Sequence, residues 1–167
     1  MSLPERKPLR LKDWDYSGVG YYFVTMCVHE REDLFWDGGR AGLEPAPTNA
    51  LGELVAQTWL DLPSHIAGVH MDKFVVMPNH FHGIVALESG CVGAGSKPAR
   101  TSLPEIMRQF KTFSARKINQ MRGTPGKAVW QRGYYDHIIR DEADYLRVWN
   151  YIDTNPAKWG EDEYYVP

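Results

Sequence analysis

The order of elements legible in the sequence, β-α-β-β-α-β with a further helix behind it, predicts an α+β fold. Its form would be an antiparallel sheet of the ferredoxin-like or RRM-like kind with helices packed on it. Three observations carry that reading. Tyr21 to His29 (YYFVTMCVH) is a largely apolar run of strand-forming residues and reads as a central strand. Val69 to Met77 and His80 to Leu87 are two more such runs, separated only by Pro78-Asn79, a hairpin signal. Two amphipathic helical stripes alternate with these strands.

Taken in order, the first strand is followed by a Gly- and Pro-rich stretch, 37–48, that reads as a loop. Leu51, Leu54, Val55, Trp59 and Leu62 then fall on one helical face. Thr48 or Asn49 is placed to cap that helix and Pro63 to stop it. Pro78-Asn79 is not a standard primed-turn pair, although its position demands a tight turn. The stretch 88–101, ESGCVGAGSKPART, is small and polar, a flexible loop. Ser102 and Glu105 have capping-box spacing. Leu103, Ile106, Met107, Phe110, Phe113 and Met121 make the apolar stripe of the second long helix, with Arg108 and Lys111 pointing away from it. Tyr134 to Arg140 reads as the fourth strand. Asp141 caps a third helix that ends near Asn155-Pro156, because a residue before proline is pushed out of the α region. No internal repeat is visible, so 1–167 reads as one domain with a basic lead-in over 1–20.

With 167 residues, 43% of them hydrophobic, the chain is long enough for a proper core. No run of eighteen apolar residues occurs, so no membrane span is expected. The N-terminus is basic without an apolar stretch behind it, so no signal peptide is expected. Cys27 in an apolar run and Cys91 in a Gly-rich one fit a buried thiol and a loop thiol better than a disulfide. That pairing implies a cytoplasmic setting. The net charge of -2 argues against a nucleic-acid partner until its distribution is considered. Residues 101–140 hold eight Lys/Arg against two Asp/Glu, and residues 141–167 two against seven. Phosphate binding needs a local positive surface, not a positive whole. A solvated helix face accounts for the same charges equally well.

The sharpest local signal is Met77-Pro78-Asn79-His80-Phe81-His82-Gly83-Ile84-Val85. Residues i and i+2 of a strand point to one side, so His80 and His82 project together and Phe81 faces away. Two imidazoles side by side make a metal clamp. Gly83 indicates close packing beside them. His29, His65 and His70 have no partner in sequence and are read as ordinary histidines. In the third helix Tyr145, Val148, Trp149 and Ile152 form the apolar stripe, with Tyr145 at its centre and read as core. Arg147, Tyr151 and Asn155 share an adjoining polar stripe. Spacing alone favours Tyr151 as a boundary tyrosine with its hydroxyl in water. A nucleophile beside a metal is the second reading. Trp130-Gln131-Arg132, Asp136-His137 and Arg140 flank the fourth strand, equally consistent with packing and with a site.

MPNHFHGIV, VWQRGYYDHIIRDEADY and WNYIDTNPAKW, in that order, resemble the REP-associated tyrosine transposases of the wider HUH (histidine-hydrophobic-histidine) group. The opening RLKDWDYSGVGYYFVTMCVHERE is similar to that family's first strand and its lead-in. The resemblance thus runs from about Arg10 to Tyr165. It implies a ferredoxin-like sheet with the histidine pair on one strand and a C-terminal helix carrying a nucleophilic tyrosine, Tyr151. It further implies His80, His82 and Asn155 as ligands of Mg²⁺ or Mn²⁺, which suits oxygen ligation. The implied reaction nicks single-stranded hairpin DNA and transfers the strand through a 5′-phosphotyrosine link, by a monomer or a homodimer. Arg10, Lys12, Arg108, Lys111, Arg116, Arg132 and Arg140 are the candidate DNA contacts.

Two other readings compete. A nucleotide hydrolase of the histidine-triad type needs a further alternating histidine, where this chain has Ile84. A non-catalytic single-stranded nucleic-acid-binding module would keep the basic stretch. It would not require His80, His82, Tyr151 and Asn155 to converge.

Overall fold

The computed structural model describes residues 15–16, 18–37, 48–88 and 101–165. Arg10, Lys12, Cys91, most of the basic lead-in and nearly all of the 37–48 and 88–101 loops lie outside the described residues. Four strands, β1 (Gly20–Cys27), β2 (Val69–Val76), β3 (His80–Leu87) and β4 (Tyr135–Ile139), form one sheet in the order β2-β3-β1-β4. Every neighbouring pair is antiparallel. The helices are α1 (Ala50–His65), α2 (Leu103–Arg122) and α3 (Glu142–Thr154), with short 3₁₀ helices at His29–Arg31 and Pro156–Glu161. The α+β, ferredoxin-like reading of the sequence holds.

Strand parity divides the sheet into two chemically different faces. Tyr22, Val24 and Met26 of β1 and Phe81 and Val85 of β3 point to one side. There they join Val55, Trp59 and Leu62 of α1 and Leu103, Ile106, Met107 and Phe110 of α2 in the main core. Phe23 and Ile84 point to the other side, where Val148 and Ile152 of α3 cover them. His80 and His82 share the parity of Ile84. They therefore lie on the α3 face, opposite Cys27 and Thr25 of β1. Burying Val148 and Ile152 fixes α3 against that face. Each fully buried aliphatic side chain is worth about 1.5–3 kcal/mol.

The turn at Pro78-Asn79 works without a primed-turn sequence because the segment after β1 braces it. Leu34 N–H and Phe35 N–H both donate to Pro78 C=O, at 2.8 and 3.0 Å, and Val28 N–H donates to Asn79 C=O at 2.8 Å. The Trp36 indole N–H adds a 2.8 Å bond to Val76 C=O. Tertiary donors supply here what turn propensity does not.

Several local expectations are corrected. Asn49 caps α1, its Oδ1 accepting from Leu51 N–H and Gly52 N–H at 3.0 Å each, but Pro63 lies inside the helix instead of stopping it. Pro63 is exposed in the last turn. There Ser64 Oγ bonds Asp61 C=O at 2.6 Å and Ile66 N–H bonds Leu62 C=O at 3.0 Å, so the helix closes over the missing donor. The capping box does not form. Ser102 serves α2 through its backbone carbonyl, and the Glu105 carboxylate is taken by Arg108 and Gln109. Met121 is 56% exposed and leaves the apolar stripe, while Ser114, Ile118 and Asn119 are buried in its place. Tyr145 is not core. It sits half-buried at the rim of α3, and its hydroxyl donates to Asp72 Oδ2 at 2.7 Å. Trp149 is also half-buried, beneath the Lys73 ammonium at 4.1 Å. Cys27 is a free thiol, half-buried beside the hairpin. No described helix is long and apolar enough to cross a membrane.

Gly83 has the strictest steric requirement in β3. A Cβ there would stand 2.8 Å from Trp59 Cζ2 and 2.9 Å from Phe81 Cε1. Gly83→Ala is expected to cost about 1–3 kcal/mol by overpacking, read from the urea midpoint. An unchanged midpoint would mean that both rings move aside freely.

Candidate active site

The histidine pair is built from the strand upward. His80 and His82 are buried, their rings 4.6 Å apart at 73°. Each ring is held from behind through Nδ1. His82 Nδ1 meets Thr25 Oγ1 at 2.8 Å, directly across the β1–β3 ladder. His80 Nδ1 meets Asn79 Oδ1 at 2.9 Å. The Asn79 amide nitrogen donates to Tyr164 C=O at 2.9 Å and Arg31 C=O at 3.4 Å, which turns its oxygen toward His80. An amide oxygen only accepts, so His80 carries its proton on Nδ1 and presents a lone pair at Nε2. Burial drives both imidazoles to the neutral form, His82 to a pKa of about 3 and His80 well below its ordinary value.

Helix α3 brings Tyr151 over this pair. The Tyr151 ring stands 5.2 Å from His82 and 6.0 Å from Phe23, edge-on to both, and is 42% exposed. The residue thus stays partly open to solvent while its ring is packed. Burial raises its pKa first and the nearby Asp162 charge adds to this, with the Asn155 amide acting in the opposite sense. Asn155 ends α3 and is buried. Tyr151, Asn155, Lys158 and Asp162 line one pocket of about 330 Å³. Tyr151 thus lies against His82, and Asn155 shares a pocket with Tyr151 and with Asp162, the carboxylate beside His80.

Reading the sequence missed four neighbours of this cluster. Thr25 becomes visible only through the β1–β3 register. Asn79 was read as a turn residue, although it adjoins His80 in the motif. Asp162 counted only toward the acidic balance of the C-terminal stretch. Its carboxylate lies 3.9 Å from His80 Nε2. Tyr164 packs tilted against His80 at 4.6 Å between ring centroids, with the Arg31 guanidinium 5.4 Å from its ring.

The donor set fits a divalent cation. His80 Nε2, His82 Nε2 and Asn155 Oδ1 are buried without a hydrogen-bond partner. Leaving three polar atoms so is costly unless something else satisfies them. Two neutral imidazole nitrogens and an amide oxygen are all electron-pair donors, and the Asp162 carboxylate adjoins them. A cation satisfies such a set, whereas a further hydrogen-bond acceptor would not.

The basic candidates separate by face. Arg132 is exposed at a pocket that also involves Thr25, Cys27, Arg31, Tyr135 and Tyr164. Arg140 is exposed beside Tyr21 and Tyr145, at the far end of α3. Arg108 and Arg116 are exposed on α2, across the sheet from the histidines, and Arg108 is paired with Glu105. The Lys111 ammonium is already engaged, donating to Gln131 C=O at 2.6 Å and Gly133 C=O at 3.0 Å.

A family model described as "Transposase IS200 like" matches residues 58–155, a stretch that contains His80, His82, Tyr151 and Asn155. The chain belongs to that family. An uncharacterized Haemophilus influenzae protein is 38% identical to this IS200-like chain, over 96% of this chain and 93% of that protein. A REP-associated tyrosine transposase of Escherichia coli K12 is 26% identical, over 87% of this chain and 71% of its own length. A solved structure, a REP-associated tyrosine transposase bound to a REP hairpin, superposes with a TM-score of 0.58 at 19% identity. The match covers 92% of this chain and 76% of that one. The fold is therefore that of the transposases, and the IS200-like family is one of DNA-processing enzymes.

The buried histidines set a pH dependence for the chelator-treated chain. They are neutral when folded and protonate in the unfolded chain below the ordinary value of 6.5, so the unfolded state binds more protons. Their contribution is complete above 6.5 and is lost as pH falls toward about 3. The thermal midpoint should drop more between about pH 7 and about pH 5 for wild type than for His82→Gln. Equal drops would remove His82 from the account.

Proposed function

We propose that this IS200-like transposase nicks and rejoins single-stranded DNA through Tyr151, on hairpin substrates of the REP type. The supporting observation is the packing of the partly exposed Tyr151 ring against His82 of a buried histidine pair with unpartnered nitrogens. His80 Nε2, His82 Nε2 and Asn155 Oδ1 would hold Mg²⁺ or Mn²⁺. When bound, such a cation supplies polarisation of a phosphate and offsets the charge that accumulates during phosphoryl transfer.

The chain's own residues do the rest. Thr25 and Asn79 hold the imidazoles in position from behind. Phe23 and His82 orient the Tyr151 ring, so its oxygen meets the substrate along a restricted direction. The Tyr151 oxygen attacks phosphorus and loses its proton to solvent, while the P–O3′ bond breaks and the leaving 3′-oxygen takes a proton from solvent. The products are a 5′-phosphotyrosine link and a free 3′-OH. The link keeps the phosphodiester energy, so attack by another 3′-OH rejoins the strand without ATP. Burial, and after it the Asp162 charge, raises the phenol's pKa further in the free protein, and a bound cation would act in the opposite sense.

DNA contact falls to the exposed cations. Arg132 and Arg140 flank the α3 face, while Arg108 and Arg116 would reach a hairpin stem from α2. Lys111 ties down residues 131–133, so its substitution would disturb that segment and not a phosphate contact. In fluorescence anisotropy, Arg132→Gln with Arg140→Gln should weaken hairpin binding. It should also lower the slope of log affinity against log salt by about one for each phosphate no longer neutralised. An unaltered slope would put the DNA elsewhere.

The nucleophile is tested on a denaturing gel with Mn²⁺ and hairpin DNA labelled on the 3′ side of the nick. Wild type should give a covalent protein–DNA band, and Tyr145→Phe should keep it. Tyr151→Phe should lack it while losing less than about 1.5 kcal/mol of stability. A band from Tyr151→Phe would move the nucleophile to another tyrosine. No band from wild type across a broad hairpin set would favour a binding module.

A further inference from the structure

Asp162 lies outside the stretch 58–155 that the family model matches and after the helix that carries Tyr151. We infer that its carboxylate is a fourth protein ligand of the divalent cation, so that metal binding and seating of the segment 156–165 are one coupled event. This deepens the reading of His80, His82 and Asn155 as ligands and rests on it.

The geometry of the carboxylate carries the inference. Its side chain is only 5% exposed, an unusual place for a charge. One ligand atom from each of His80, His82 and Asp162 lie within 4.8 Å of one another, the one such group of histidines, cysteines and acids among the described residues. The two carboxylate oxygens have different surroundings. Oδ1 accepts from Tyr164 N–H at 2.8 Å. Oδ2 faces His80 Nε2 at 3.9 Å, too far for a hydrogen bond. His80 holds its proton on Nδ1, as the Asn79 contact requires, so a lone pair faces a carboxylate across that gap. Two electron-pair donors turned toward each other in a buried place repel unless a cation lies between them. His82 Nε2 and Asn155 Oδ1 are likewise buried without a partner, and Asn155 and Asp162 line one pocket.

The segment is built to hold Asp162 there. Trp159 is buried and tilted against His80 at 5.8 Å, and Pro156 is buried at its start. Tyr164 packs tilted against His80, and its carbonyl accepts from Asn79, the residue that orients His80. The backbone on both sides of Asp162 is thus fastened to the histidine hairpin. Glu161 and Glu163 are exposed, so neither carboxylate is held at the cluster as Asp162 is. A carboxylate adds a hard, charged oxygen to two imidazoles and an amide, which suits Mn²⁺ or Mg²⁺ and favours capture of the ion before DNA arrives.

The test measures binding of the metal alone to the full chain, without DNA. Calorimetry with MnCl₂ would compare wild type, Asp162→Asn, Glu163→Gln and His82→Ala, each checked for folding by circular dichroism. Hydrogen exchange of residues 156–165 would be followed with and without Mn²⁺. Wild type and Glu163→Gln should bind alike, and Asp162→Asn at least tenfold more weakly. Mn²⁺ should slow exchange of that segment in wild type, and much less in Asp162→Asn. Should Asp162→Asn bind as wild type while His82→Ala fails, Asp162 is no ligand although the histidine reading stands. Mn²⁺ binding that leaves exchange of 156–165 in wild type unchanged would also overturn the inference. Absence of Mn²⁺ binding by wild type would overturn the histidine reading and this inference together.

Discussion

Two buried imidazoles that find no donor for their Nε2 atoms set the terms for everything around them. Neutral rings in that position need fixed tautomers, and a fixed tautomer needs a partner behind each ring. Asn79 fixes the tautomer of His80, Thr25 holds the His82 ring in place, and each is where it is for a structural reason. Thr25 lies opposite His82 because β1 and β3 pair in one register over their whole length. Asn79 lies behind His80 because the tight turn is braced by the amides of Val28, Leu34 and Phe35. The site is therefore a product of sheet register and turn bracing, and α3 adds the tyrosine to a face already prepared for it.

Electrostatics on that face are poised rather than relaxed. Tyr151, Tyr164 and Asp162 all have pKa values raised chiefly by burial, and the nearby acidic charges push both phenols further up. Arg31 brings positive charge to the far side of Tyr164. Such a cluster favours the arrival of positive charge at its centre, which is the property a phosphoryl-transfer site requires.

What the sequence conveyed follows the reach of its signals. The fold was legible because strand and helix periodicities are local, and the histidine pair because i, i+2 parity needs no tertiary knowledge. Pro63 misled because a missing donor in a last, exposed turn costs little once Ser64 and Ile66 bond the carbonyls there. Tyr145 misled because an apolar stripe says which face turns inward but not how far the helix overhangs the sheet. Its hydroxyl reaches Asp72 at the rim. Ser102 and Glu105 had the right spacing for a box, yet Arg108 and Gln109 one turn later compete for the same carboxylate. Asp162 had no periodic context at all. Its place comes from Trp159 and Tyr164 packing on a hairpin more than seventy residues earlier in the chain.

The division of the sheet by parity ties the histidine site to strand register. A one-residue slip of β3 against β1 would rotate its alternation by one position. Both imidazoles would then be driven toward Trp59 and Phe110, and Phe81 would be presented to Tyr151. No compensating substitution at a single site restores the arrangement, because every side chain of the strand changes sides together. A single-residue insertion or deletion inside β3 itself would impose such a slip on every side chain of the strand to one side of it.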